Sequence, residues 1–258
     1  MRQEIACVSL PVVLLLSVFL LPACGKKEEA INATIVPLKE KAVLHLRGYV
    51  TDDKTELVSQ IYNFDRFFSH RDTVDGKPVV VYVSNGEKIP FYIGDDGSVH
   101  QLTTVNLSDR LFQYGITSRT PLLVSYWETL LKQNDGVGTE WQMLVDTTLT
   151  GVDATGKTVQ IRYVYSARAR NEGWKEVFIP HTYRLERTVD VHWYEIENYI
   201  INETTNDSLF VRKGTAHQYF DPKLGIIKYI TDYKKKEGRT PFVSLRGTWE
   251  LIKTEFTD

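Results

Sequence analysis

The chain has 258 residues, 42% of them hydrophobic and 25% charged, with two cysteines. That composition excludes a disordered chain, a disulfide scaffold and a collagen-like repeat. Its 31 basic and 33 acidic residues leave a net charge of -2, which gives no electrostatic footprint for nucleic acid.

The first element is a targeting segment over residues 1–23. Arg2 provides a weakly positive start, and Ile5 to Ala23 is almost wholly apolar, including Val12-Val13-Leu14-Leu15-Leu16 and Val18-Phe19-Leu20-Leu21. A charged start, an apolar stretch and a small residue before a cleavage point make a secretory signal. The competing reading is a transmembrane anchor. Pro11 and Pro22 interrupt the run, which is barely long enough to span a bilayer.

The run ends Leu21-Pro22-Ala23-Cys24. This resembles the lipobox of bacterial lipoproteins. The resemblance implies cleavage before Cys24, a diacylglycerol on its sulfur and a membrane attachment through that lipid. Two or more acyl chains anchor stably where one does not, at roughly 0.8 kcal/mol per buried methylene. Cys7 leaves with the signal, so a lipidated Cys24 leaves no thiol for a disulfide or a thiolate metal site. Residues 24–40 read as a lipidated tether, opening with the charged Gly25-Lys26-Lys27-Glu28-Glu29. Lys27-Glu28-Glu29 also resembles a short surface-export signal of some Gram-negative lipoproteins. The expected location is the cell envelope, at the outer membrane, on its periplasmic face or at the cell surface.

Residues 41–258 read as one β-rich domain with a candidate lobe boundary near 111–130. Thr55 to Phe68 is a candidate short helix on Leu57, Ile61 and Phe68. Asp75-Gly76, Asn85-Gly86 and Asp96-Gly97 then mark hairpin turns, because such dipeptides tolerate positive φ. Val79 to Val83, Lys88 to Ile93 and Ser98 to Thr103 are the expected strands between them. Thr120-Pro121 resembles a cap with a first-turn proline, followed by a helical face of Leu123, Trp127, Leu130 and Leu131.

The second half alternates with period two. Trp141, Met143 and Val145 share one face, as do Val159, Ile161, Tyr163, Tyr165 and Ala167, and Val189, Val191 and Trp193. Asp190, His192 and Tyr194 fall on the opposite, wet face. Turns are expected at Thr155-Gly156, Asn171-Glu172-Gly173 and Glu237-Gly238, and a last strand at Gly247 to Lys253. The predicted fold is mainly β: an antiparallel meander forming a bent sheet, half-barrel or sandwich, with one or two short helices. Gly214-Thr215-Ala216-His217-Gln218-Tyr219-Phe220, Leu224 to Tyr229 and Gly247 to Leu251 resemble an element of β-rich bacterial envelope lipoproteins. The family resemblance extends in outline to LolA-like half-barrels that carry lipids.

Chemistry is sparse. There is no nucleophile elbow, zinc-protease pair, phosphate loop or dinucleotide motif. His70 and Asp72 share one side of an extended chain, an arrangement for base work that also suits a polar loop. His192 is a lone metal-type ligand with Glu195 on the opposite face. Gly94-Asp95-Asp96-Gly97-Ser98 has calcium-like oxygens but the length of a hairpin turn. Lys234-Lys235-Lys236 suits anionic lipid heads or a solvated hairpin tip. Three functions remain open: non-enzymatic binding or carriage of a lipid or other apolar ligand, a structural or adhesive surface role with an envelope protein partner, and an envelope hydrolase. The first is preferred, so the chain is read as non-enzymatic. No catalytic, cofactor or metal residue is assigned and no nucleic acid partner is expected. Tyr163, Tyr165, Trp193 and Trp249 are the side chains for a ligand-facing wall, with Ile161, Val191 and Leu251 continuing the same faces.

Overall fold

The computed structural model describes residues 42–52, 55, 57–132, 135–180 and 182–256. The leader, Cys24 and the tether lie outside them. Five strands come first: β1 (Ala42–Asp52), β2 (Val58–Val74), β3 (Lys77–Ser84), β4 (Glu87–Ile93) and β5 (Ser98–Asn106). A short helix follows, α1 (Ser108–Phe112). Then come β6 (Leu123–Lys132), β7 (Glu140–Val152), β8 (Thr158–Ile179), β9 (Arg184–Asn202), β10 (Asp207–Asp221), β11 (Gly225–Glu237) and β12 (Val243–Phe256).

All twelve strands form one sheet, ordered β6-β5-β4-β3-β2-β1-β12-β11-β10-β9-β8-β7. Every neighbouring pair is antiparallel and consecutive in sequence except β1 with β12, which joins the two halves from Ala42↔Phe256 to Asp52↔Leu245. The sheet curls until its edge strands approach. Trp141 Nε1 donates to the Thr129 carbonyl at 2.9 Å, and Asn171 Nδ2 to that of Lys132 at 3.4 Å. The result is a nearly closed, barrel-like meander, as the period-two faces and turn spacing indicated.

The hairpins follow from their turn residues. Asp75 and Gly76 have φ of 51° and 73°, and Asn85 and Gly86 have 52° and 79°. Two successive left-handed residues make the turn whose twist matches paired strands. Thr155-Gly156 and Glu237-Gly238 also turn the chain. Asn171-Glu172-Gly173 does not: it is a bulge inside β8, where the register against β9 shifts between Asn171 and Gly173. Asn171 Oδ1 accepts from the Gly173 amide at 2.9 Å and holds the extra residue in place.

Both sequence-derived helices are strands. Thr55 to Phe68 lies largely in β2, where Phe64, Arg66 and Phe68 alternate toward the interior opposite Leu46, Leu44 and Tyr82. Leu123 to Leu131 lies in β6, with Val124, Tyr126 and Glu128 inward. Sheet pairing overrides a loose helical spacing in segments rich in aromatic and β-branched residues. The helix that forms instead, α1, has only five residues. Leu107 and Leu111 are buried beneath it.

The α1 segment caps one end of the barrel. Tyr114 donates through its hydroxyl to the Leu209 carbonyl at 2.6 Å. Thr117 bridges Val152, and the Arg110 guanidinium lies 3.9 Å from the Phe210 ring centre. These contacts close that end over β7 to β10. Strand β3 meets β2 only from Arg66↔Ser84 onward, so the first half of β2 has a free edge, with Leu57, Val58 and Ile61 69%, 51% and 65% exposed.

Candidate binding site inside the sheet

The interior divides into a sealed part of buried residues and a more open part of half-buried ones packed against it. Tyr163, Tyr165 and Trp193 belong to the sealed part, as do Ile161, Val191 and Leu251. They pack into one continuous cluster with Trp141, Ala167, Ala169, Ile200, Phe210 and Phe220. Three of the four side chains singled out for a ligand-facing wall are therefore core. Trp249 is the exception: it is half-buried and borders the open part.

Against the sealed part sits a half-buried acid. Glu128 on β6 accepts from the Tyr165 hydroxyl at 2.8 Å and from Thr103 Oγ1 at 3.1 Å. Tyr126 stacks on Tyr165 with ring centres 5.4 Å apart, and Asn198 Nδ2 donates to the Tyr163 hydroxyl at 2.8 Å. Burial raises the Glu128 carboxyl above its ordinary range, and the two hydrogen bonds only partly oppose it. The Tyr126 and Tyr165 phenols are raised too, by burial first and the nearby Glu128 charge second.

A raised carboxyl binds its proton more tightly in the folded chain than in the unfolded one, so its stabilising contribution is present below the unfolded carboxyl's pKa. It is lost as pH rises toward the folded value. Glu128→Gln keeps the size and an acceptor oxygen but cannot ionise. Its thermal unfolding midpoint is expected to match wild type near pH 4 and to exceed it at pH 8. A variant less stable than wild type at pH 8 would refute the burial of an unpaired carboxylate.

The open part is lined by aromatics from β2, β11 and β12. Tyr62, 40% exposed, stands on the first half of β2. It stacks on Phe64 at 5.9 Å, Phe64 meets Trp249 edge-on at 6.0 Å, and Trp249 stacks on Tyr229 at 5.9 Å. Gly48 makes room for this row: a Cβ there would lie 2.1 Å from Tyr62 Cζ. Two guanidinium groups face the same space. Arg66 lies 5.2 Å from the Trp249 ring centre, and Arg212 lies 4.1 Å from that of Tyr233.

A second cluster occupies the face of β9 opposite Val189 and Val191. Asp190, fully buried, accepts from Lys175 Nζ at 2.5 Å and pairs with His217 Nδ1 at 2.9 Å. The His217 ring stacks on His192 at 4.3 Å and 6°. His192 Nδ1 lies 3.6 Å from Glu172, which Arg170 also holds. Asp190 was expected on a wet face; the bulge in β8 and the long Lys175 side chain cover it. Burial and the His217 charge lower the His192 imidazole. Among the described residues, no group of three or more potential ligands could hold a metal ion.

The remaining candidates fall apart structurally. His70 and Asp72 are 3.8 Å apart but exposed along β2, not in a loop. Glu195 pairs with Arg168, away from His192. Asp96 closes its own hairpin by accepting from the Ser98 amide and hydroxyl at 2.9 and 2.8 Å. Lys234 to Lys236 lie within β11, ahead of the Gly238 turn rather than at its tip. A groove of about 390 Å³ crosses β9 to β12 over Gly214, and four of its charged residues are paired as Lys213–Glu197 and Arg246–Asp232.

Sequence reading missed Glu128 and Arg66 because both lie in segments assigned to helix. The available signal was a charge at the inward position of an aromatic-rich alternation: Tyr126-Trp127-Glu128 and Phe64-Asp65-Arg66.

No known protein family matches the chain, and no curated protein matches it. Among solved structures, a protein from Bacteroides fragilis NCTC 9343, described provisionally as exported and as having a YmcC-like fold, is similar over 86% of this chain and 99% of its own. Its sequence identity is 11% and the TM-score 0.40.

Proposed function

We propose that the protein is an envelope lipoprotein, tethered to the outer membrane through lipid on Cys24, that binds a lipid or other apolar ligand without catalysis. The ligand seats in the open part of the barrel. The observation that carries this reading is the row Tyr62, Phe64, Trp249 and Tyr229, which runs inward from the exposed first half of β2 beside the packed core. Such rings offer large apolar area with few polar demands, which suits an apolar ligand. The leader pattern of residues 1–23 and the lipobox support export and anchoring. The resemblance of Gly214 to Tyr229 to β-rich envelope lipoproteins points the same way.

The alternative, a structural surface role, is favoured by one observation: the free edge at the start of β2, with Leu57, Val58 and Ile61 exposed. An edge of this kind accepts a strand from a protein partner.

Native mass spectrometry of the full chain extracted from membranes tests the first reading. Wild-type protein is expected to carry lipid, and Trp249→Ser, verified as folded by circular dichroism, to lose most of it. Wild-type protein without bound lipid, but with a co-purifying envelope protein, would establish the structural role instead.

A further inference from the structure

Arg66 carries a charge that the fold leaves unanswered. It enters the interior from β2, with its backbone opposite Leu44 and Ser84. Its Nε is buried with no hydrogen-bond partner. No ion pair joins it to a carboxylate among the described residues; Tyr82 is the neighbour that favours its charge, and burial lowers its pKa to about 10. Asp190, by contrast, is held by both Lys175 and His217. Glu128, the acid inside the barrel, is engaged by Tyr165 and Thr103.

Taking a guanidinium out of water without a counter-charge is unfavourable. The Trp249 ring offsets only part of this. The missing partner is an anion, and guanidinium groups match carboxylate and phosphate oxygens in geometry as well as charge. The surroundings set the rest of the ligand. Phe64, Trp249 and Tyr229 form a half-buried apolar row beside Arg66, along which an apolar body would lie. Arg212, over Tyr233 on the facing wall, adds a second cation to the same space.

We infer that Arg66 anchors the head group of an anionic amphiphile, a long-chain carboxylate or phosphate monoester, whose apolar part lies along the Tyr62–Phe64–Trp249 row. This rests on the proposal that the open part of the barrel binds a ligand, and adds the sign of its charge and the residue that reads it.

The full chain in non-ionic detergent is titrated with oleate, oleoyl lysophosphatidate and oleyl alcohol, with binding followed by native mass spectrometry. Wild-type protein is expected to take at least one of the two anions tenfold or more tightly than the alcohol. Which anion is tighter identifies the head group. In Arg66→Gln that preference should fall to near unity, and in Arg66→Lys, which keeps the charge but not the fork, it should be intermediate. Circular dichroism confirms that each variant is folded. If Arg66→Gln does not fold, a lost preference in folded Arg66→Lys still supports the inference, and an unchanged one overturns it. Equal binding of alcohol and both anions to wild type overturns the inference while leaving the apolar site intact. Failure to bind any of the three overturns the apolar site as well.

Discussion

Replacing Trp193 with alanine is expected to lower the unfolding free energy by about 3–5 kcal/mol. The indole is 2% exposed and lies edge-on to Trp141, with ring centres 6.1 Å apart. Its Nε1 donates to Gln218 Oε1 at 3.0 Å. Its cross-strand neighbours are Ala169 on β8 and Ala216 on β10. Those two small residues leave the space that the indole fills, and neither can extend to close a void. The lost hydrogen bond also strands the Gln218 carbonyl. Urea unfolding followed by circular dichroism gives the difference directly. A loss below about 1 kcal/mol, well under the range for such truncations, would show that the surrounding strands collapse onto the site and that the packing is not as tight as described.

Asp190→Ala should cost about 1.5–3 kcal/mol near neutral pH, the range of hydrogen bonds to charged groups. The carboxylate is sealed, but Lys175 and His217 are 44% and 34% exposed, so both can turn to water when it is removed. That exposure keeps the loss below the cost of breaking a fully buried pair. Burial alone would push the Asp190 carboxyl up; the hydrogen bonds and charges of His217 and Lys175 outweigh it and hold the group below its usual range. A depressed carboxyl stabilises the fold above its unfolded pKa, near ~4, and that stabilisation disappears as pH falls through the lower folded value. The gap between wild type and variant should therefore be full at pH 7 and narrow below about pH 4. A gap that widened on acidification would contradict the ion-paired arrangement.

The meander was legible because its punctuation is local. Asp75-Gly76 and Asn85-Gly86 specify their turns through backbone sterics alone, whatever the strands do. The alternation of Val159, Ile161, Tyr163 and Tyr165 specifies a buried face just as directly. What failed depended on partners elsewhere in the chain. Leu57, Ile61 and Phe68 have a helical spacing that only the pairing of β2 with β1 and β3 overrules. Asn171-Glu172-Gly173 has turn composition, yet β9 runs alongside it without interruption and makes it a bulge. The site was harder still. Periodicity distinguishes an inward from an outward residue, but not a packed interior from an accessible one. Tyr163 and Trp249 look alike in sequence; the cap built by α1, Tyr114 and Thr117 covers only one side of the barrel and separates their fates.

The pairing of β1 with β12 sets a timetable. A chain made from its N-terminus delivers β1 first and β12 last, with nearly the whole domain between them. Until β12 arrives, β1 has β2 on one side and a bare row of amides and carbonyls on the other, an invitation to mispair with other chains. Contacts this distant in sequence also form slowly. The two halves, β1 to β6 and β7 to β12, are each built from local hairpins and can assemble on their own schedule, but the joint in the middle of the sheet must wait for the final residues. A protein of this design therefore spends its most vulnerable interval after its first half has emerged and before its last strand has, when a holding factor has most to protect.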